Sequence, residues 1–318
     1  MRRFLAAVAV AVVLLAAAAC KSDDDRAAPA AAGIKVGLGV IPIVDVAPVY
    51  LGKAKGFFSS RGIDLSLIPE QGGGVIVKGV LAGKYQFGFS NVTSLMAAGG
   101  EGAPIKAIAN GVASTGRAGR DFSAVMVRNG SSIVSPRDLA GKRVAVNALK
   151  NLGDTTVRQS VRKAGGDPTD IRFVAMPFSA MPAALQTREV DAAWVVEPQL
   201  SEALTQGGQV LASNLVDTAP NLTVAMYFTG TALIAKDPTL VTRFTAAVNQ
   251  SLQYAATHPE EVRATVGTYI KINDTVRSAM ILPNWSNAIN RPSLERLAAL
   301  GDTDGIFRKP PSLDKLLP

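Results

Sequence analysis

A two-lobed α/β protein is what this chain predicts, and two stretches carry the prediction. Ala183 to Pro198, AALQTREVDAAWVVEP, reads as a short helix, a tight turn and a buried strand ending on a carboxylate. Val80 to Asn91, VLAGKYQFGFSN, repeats that order: an apolar helix end, a turn at Gly83 and Lys84, a strand, then polar groups past its carboxyl end. In an open α/β sheet, loops and helix N-termini with free N–H groups converge beyond the carboxyl ends of the strands, so ligands bind there. Two facing rims follow, one at Ser90 and Asn91 and one at Glu197. The 318 residues suffice for two ordinary domains, and 48% apolar residues suffice to fill their cores.

The N-terminus stands apart from the fold. Met1, Arg2 and Arg3 precede an apolar run from Phe4 to Ala19. That run is shorter than the ~20 residues a membrane span needs and suits the h-region of a signal peptide over 1–19. The sole cysteine, Cys20, follows at once. Ala17 to Cys20 resembles a bacterial lipobox, which implies cleavage before Cys20, its diacylation and a lipid tether; a plain secretion signal with an incidental cysteine is the other reading. Residues 20–33, charged and then Ala/Pro-rich, read as the tether. Beyond Cys20 there is no thiol, so the fold is expected to hold no disulfide.

The formal charge is +8, and removing Arg2 and Arg3 leaves about +6, spread along the chain in runs of no more than two. A nucleic-acid binder would concentrate these charges or interleave them with aromatics, so no nucleic-acid partner is expected.

In order, Ile34 to Ile41 is a strand, and Pro42 to Tyr50 is a loop becoming a helix through Gly56. Ile63 to Ile68 is the second strand. Gly72, Gly73 and Gly74 then suggest a phosphate cradle, but without a Gly-Lys-Ser/Thr ending or GxGxxG they read better as a strand-to-helix turn. Tyr85 to Phe89 is the third strand, and Ser90, Asn91 and Thr93 suit either a helix cap or a polar ligand head. Ile105 to Ala109 is a strand, with Gly111 to Arg120 loose after it. Ser123 to Arg128 is an extended connector. Arg143 to Asn147 opens the second lobe, a helix runs from Thr155 to Lys163, and Ile171 to Met176 and Ser179 to Thr187 follow as strand and helix. Trp194 lies mid-strand as a core residue, while Trp285 falls in a loop. Thr223 to Ala235 is a returning strand. Asp237 and Pro238 start a helix with Val241, Phe244, Val248 and Leu252 on one face. The single histidine, His258, is expected at the surface. Asn273 to Leu282 and Ser293 to Leu300 are short helices, and Pro310, Pro311 and Pro318 mark a loose tail.

GKRVAVN at Gly141 to Asn147, VDAAWVVEP at Val190 to Pro198 and KGFFSSRGIDLSLIP at Lys55 to Pro69 resemble, in this order, the substrate-binding proteins of bacterial ABC importers. The family is the SsuA/THI5-like one, which takes up sulfonates, nitrate, taurine and thiamine-pyrimidine precursors. The resemblance spans roughly Ile34 to Leu300. It implies a periplasmic-binding-protein type II fold: each lobe a mixed sheet flanked by helices, joined by two crossing segments. Lobe 1 would take 34–123 and 224–318, and lobe 2 124–223. Gln86 stands where the family usually has an Asp, whereas its counterpart Asp191 is kept.

For the ligand the expected rims are Asp45 and Tyr50, then Ser90, Asn91 and Thr93, then Asn147, Thr155, Thr156 and Glu197. Thr155 and Thr156 are expected to open a helix and so suit an anionic head. Asp154 opposes an anion unless turned away as a cap, and Glu197 prefers a ring N–H or an amine. The solute is thus either a sulfonate- or nitrate-like anion or a pyrimidine precursor. Truncating Glu197 is expected to weaken binding with little loss of stability.

The resemblance implies a monomeric, lipid-anchored receptor on the extracytoplasmic face, delivering its solute to an ABC permease, with no cofactor, no metal and no enzymatic activity. An extracellular sensor on the same fold is the alternative. An enzyme is a further one, because a eukaryotic branch makes the thiamine pyrimidine from its own histidine and pyridoxal phosphate. Here His258 lies far along the chain, and neither a cysteine cluster nor a GxSxG elbow is present.

Overall fold

Alternation of apolar strands with helices produces two five-stranded mixed sheets in the computed structural model, which describes residues 33–318. The signal-peptide and lipidation expectations, Cys20 among them, lie outside the described residues. Among those described, no helix is long and apolar enough to cross a membrane.

The first sheet is built from β1 (Ile34–Val40), β2 (Ile63–Pro69), β3 (Phe87–Asn91) and β4 (Ile105–Ala113), with α1 (Ala47–Ala54), α2 (Gly73–Leu81) and α3 (Val92–Gly100) between them. The second contains β5 (Ser123–Val127), β6 (Arg143–Val146), β7 (Arg172–Ala175), β8 (Ala192–Val196) and β9 (Gln209–Ala212). Its helices are α4 (Leu152–Lys163), α5 (Met181–Gln186), α6 (Gln199–Thr205) and α7 (Asn214–Thr218). The chain then returns through β10 (Thr223–Gly230), α8 (Thr231–Lys236), α9 (Pro238–Thr257), α10 (Pro259–Tyr269), α11 (Asp274–Ala279), α12 (Arg291–Thr303) and α13 (Leu313–Leu316).

Both sheets follow one plan. Their orders are β2-β1-β3-β10-β4 and β7-β6-β8-β5-β9. The first three strands of each are parallel, and the fourth place is taken by the strand that has just crossed over, antiparallel to both neighbours. Parallel strands need crossover helices, and these cover the sheet faces. The two crossings run side by side, with Ser114 N donating to Leu222 O at 2.9 Å and Gly119 N to Ser213 Oγ at 2.8 Å.

The apolar stripe of α9 lies on the first sheet as its spacing predicts: Val241, Phe244, Val248 and Leu252 are buried, and the Phe244 ring stacks on Phe87 at 3.7 Å. Tyr85 precedes β3 rather than opening it. Its ring lies flat against β1, where a Cβ on Gly39 would come within 2.6 Å of it. Close approach of ring to backbone is why residue 39 is glycine.

Several expectations are corrected. β4 continues to Ala113, because β10 pairs along its whole length and Ala113 bridges to Asn284. Of Gly111 to Arg120, expected to be loose, the part beyond β4 is held by Asp121, whose carboxylate accepts from Ser114 Oγ at 2.6 Å, Thr115 N at 2.9 Å and Phe122 N at 3.0 Å. The returning strand stops at Gly230 and α8 follows, since the β4 partner positions end at Ile105. The proline-bearing tail forms α13, whose Leu313 and Leu316 are buried with Leu317.

Candidate functional site

The carboxyl ends of β1, β3, β6 and β8 supply the expected rims. At β3, Asn91 is an N-cap: its Oδ1 accepts from Ser94 N at 2.9 Å, satisfying one free donor of α3. Ser90 is buried against Gly73 and donates to Asn91 O at 3.3 Å. Gly73, alone of the three glycines, therefore serves close packing of α2 on the end of β3. Thr93 is 1% exposed, and its Oγ1 has no hydrogen-bond partner.

In the second lobe, Asn147 is half-buried just after β6. α4 starts at Leu152, not at Thr155, because Asn151 caps it, accepting from Leu152 N at 2.8 Å. The reading of Thr155 and Thr156 as a helix opening is thereby corrected: they lie past the first three helical residues. Thr156 Oγ1 donates to Leu152 O at 2.8 Å and accepts from Asn214 Nδ2 at 2.7 Å, so it is spent within the lobe. Thr155 is fully buried with an unpartnered Oγ1. Asp154 accepts from Lys150 N at 2.8 Å, and burial pushes its carboxyl up to about 6 against the pull of that N–H and of Arg158.

Glu197 follows β8 with no exposure, and both of its oxygens are taken. Oε1 accepts from Ser201 Oγ at 2.9 Å and from Ile281 N at 2.9 Å; Oε2 accepts from Ser201 N at 3.1 Å. Burial pushes its pKa up to about 7, with those donors and Arg263 opposing. Removing such a group leaves three donors unsatisfied, so the expectation that it can be truncated with little loss of stability is corrected.

The lobes meet directly. Asn151 Nδ2 donates to Ser94 Oγ at 3.0 Å, Val44 N donates to Glu197 O at 3.1 Å, and Arg162 of α4 pairs with Asp304 beyond α12. Asp45, next to Val44, is 3% exposed. Around it stand Tyr227 of β10, Tyr269 of α10 and Asp121 of the first crossing. Tyr50 stacks on Tyr269 at 3.9 Å, Tyr269 OH donates to Ile43 O at 2.9 Å, and Trp285 Nε1 reaches Asp45 O at 3.4 Å. Asp45 Oδ1, Tyr227 OH and Asn110 Oδ1 have no partner among the described residues. Trp285 is thus a buried wall of the site. Trp194 packs in the lobe 2 core, donating to Ser123 Oγ at 2.7 Å.

Sequence reading missed Asn110, Asp121, Tyr227, Tyr269 and Trp285. Scarcity was the available signal: the chain has 5 tyrosines, and Tyr50, Tyr227 and Tyr269 gather here. His258 stacks on Tyr254 at 3.7 Å, its Nδ1 within 2.8 Å of Tyr254 O. Among the described residues, no group of three or more His, Cys, Asp or Glu gathers to hold a metal ion. The arrangement offers unpartnered acceptors and hydroxyls near the contact between the lobes, chemistry suited to a small polar molecule.

A family model described as NMT1/THI5 like matches residues 43–262. A 4-amino-5-hydroxymethyl-2-methylpyrimidine phosphate synthase of Candida albicans is 23% identical over 236 residues, covering 70% of this chain and 67% of the relative. The ligand-binding component of an ABC-type import system from Staphylococcus aureus, solved with zinc bound, superposes with a TM-score of 0.76 at 15% identity, over 89% of this chain and 96% of that one. The periplasmic aliphatic sulphonate binding protein SsuA of Escherichia coli does so with a TM-score of 0.73 at 18% identity, over 89% and 96%. The fold is that of the periplasmic binding proteins.

Proposed function

From the premise that this chain belongs to the NMT1/THI5-like family, we propose that it is an extracytoplasmic solute receptor, anchored through a lipid on Cys20, that captures a small polar solute between its lobes and delivers it to an ABC permease. Residues 1–19 are the signal peptide and 20–33 the tether in this reading. Lobe 1 comprises 34–123 and 224–318, and lobe 2 comprises 124–223. The protein works as a monomer and performs no chemistry on its solute.

The observation that carries the reading is a set of buried polar atoms without partners on elements of both lobes: Asp45 Oδ1 between β1 and α1, Thr93 Oγ1 on α3, Asn110 Oδ1 on β4, Tyr227 OH on β10 and Thr155 Oγ1 on α4. Buried polar groups are nearly always hydrogen-bonded, because leaving one unpaired costs about 1–3 kcal/mol. Several such groups fit a protein that completes its hydrogen bonding with a ligand. Asn91, Ser90, Asn147, Tyr50 and Glu197 shape the walls, with Asn91, Thr156 and Glu197 held by protein partners. Closure is of the hinge type, biased by contacts that form only when the lobes meet, Asn151 to Ser94 among them.

A thermal-shift screen tests this. A solute that binds only the folded state raises the melting temperature by mass action, and Thr93→Val with Thr155→Val should abolish the shift. Failure of sulfonates, nitrate, amino-pyrimidines, nucleobases and polyamines all to shift it would count against a solute receptor of these classes. The similarity to a synthase favours a second reading, a pyrimidine-forming enzyme. Detection of a new pyrimidine product after incubation with pyridoxal phosphate would establish that instead.

A further inference from the structure

Asp45 is a buried carboxylate with an unpartnered oxygen beside the contact between the lobes. Its side chain is 3% exposed, Oδ1 has no partner, and the charged group acting on it is a second carboxylate, Asp121. The remaining titratable neighbours are phenols: Tyr227 from β10 and Tyr269 from α10, with Tyr50 of α1 stacked behind Tyr269. From the other lobe comes Glu197, which meets Val44 through its main-chain oxygen, and the indole of Trp285 reaches only the Asp45 carbonyl. Tyr227 OH is likewise fully buried without a partner, and the charge of Asp45 acts on it.

A buried carboxylate faced by another carboxylate and by aromatic rings is stabilised by a positive charge or by N–H donors, and an anion placed there would meet like charge in a low dielectric. Resting on the reading of this cleft as a solute site, we infer that the solute is a nitrogenous base, an amine, amidine or amino-heterocycle, donating N–H to Asp45 Oδ1 and accepting or donating at Tyr227 OH, and not a sulfonate or nitrate anion. The stacked pair Tyr50 and Tyr269 supplies a π surface beside the charge, which favours planar cations.

The charge state supports the same assignment. Burial pushes Asp45 up to about 7. A cation binds its ionised form, so binding below about pH 7 must release one proton, and affinity falls about tenfold for each pH unit below that point. A monovalent anion gives the opposite slope.

The test uses the full chain with benzamidine and agmatine, which stay cationic from pH 5.5 to 8.5, with 4-amino-2-methylpyrimidine, and with nitrate and methanesulfonate as matched anions. The bases should raise the melting temperature and the anions should not. By calorimetry the affinity for the shifting base should drop about tenfold between pH 6.5 and 5.5. Asp45→Asn should lower that affinity about tenfold or more at pH 8 and flatten its pH dependence. Tyr227→Phe, which keeps the ring, should weaken binding without flattening it. A shift with the anions alone overturns the inference and leaves the receptor reading standing. A base whose affinity is independent of pH and unchanged in both variants also overturns it. No shift with either class counts against both.

Discussion

Gln86 and Asp191 hold the same place in the two lobes, directly before β3 and β8, and they make the same clamp with different chemistry. Gln86 N donates to Gly37 O at 3.1 Å while its Oε1 accepts from Gly37 N at 2.7 Å. Asp191 N donates to Arg143 O at 2.9 Å while its Oδ2 accepts from Arg143 N at 2.8 Å. The turn needs an acceptor at that reach, and a charge is optional. Replacing the usual acid by Gln86 therefore leaves the local geometry intact. What differs is the surroundings. Asp191 also takes the Arg143 guanidinium, with Nη2 at 3.1 Å, and this pairing holds its carboxyl below the ordinary range. Gln86 lies at the join to the crossing strand, its carbonyl accepting from Thr229 Oγ1 at 2.7 Å.

The strand ends that follow these clamps differ more. β3 ends on Asn91, which caps its own helix and leaves Thr93 Oγ1 free; β8 is followed by Glu197, whose oxygens bind its own helix and Ile281 of the other lobe. Glu197→Ala should give the largest effect, a loss of about 3 kcal/mol in denaturant unfolding, because three buried donors lose their acceptor. Glu197→Gln, which keeps one acceptor oxygen, should cost distinctly less. Equal losses would mean that the ionised form is what the site requires.

Asp191→Ala should cost about 1–2 kcal/mol at pH 7, reduced by partial exposure of the pair. Since the folded carboxyl titrates below its ordinary 3.8, its contribution is present above about pH 4 and is lost as pH falls through the folded value. The gap between wild type and variant should narrow in that window. Gln86→Ala should cost about 1 kcal/mol and show no such narrowing, which chemical denaturation at pH 3 and 7 would reveal. Smallest of all, Ser94→Ala should change global stability by less than about 0.5 kcal/mol while raising the open fraction seen by small-angle scattering, since it removes one part-buried link between lobes. An unchanged scattering profile would show that closure does not depend on that link.

Much of the site was legible because its signals are local. Asn91 precedes an apolar run as a cap should, Asp45 follows a strand, and the helix-turn-strand echo places both rims. Two readings failed for lack of range. Thr155 and Thr156 look like a helix start until Asn151, four residues earlier, takes the cap. Glu197 looks like a free rim carboxylate until Ile281 N, 84 residues away, fills it. Tyr227 and Tyr269 carry no motif, and only the β3-β10-β4 pairing and the docking of α10 bring them to Asp45.

The sequence alone determined the alternation of strands and helices, the turn positions and the amphipathic face of α9, because periodicity, caps and glycine act within a few residues of chain. Only the tertiary structure decided which strand enters the fourth place of each sheet, which polar atoms are satisfied and which stay without a partner. Those depend on partners distant in sequence, and a polar group's cost when buried is set by whether such a partner arrives.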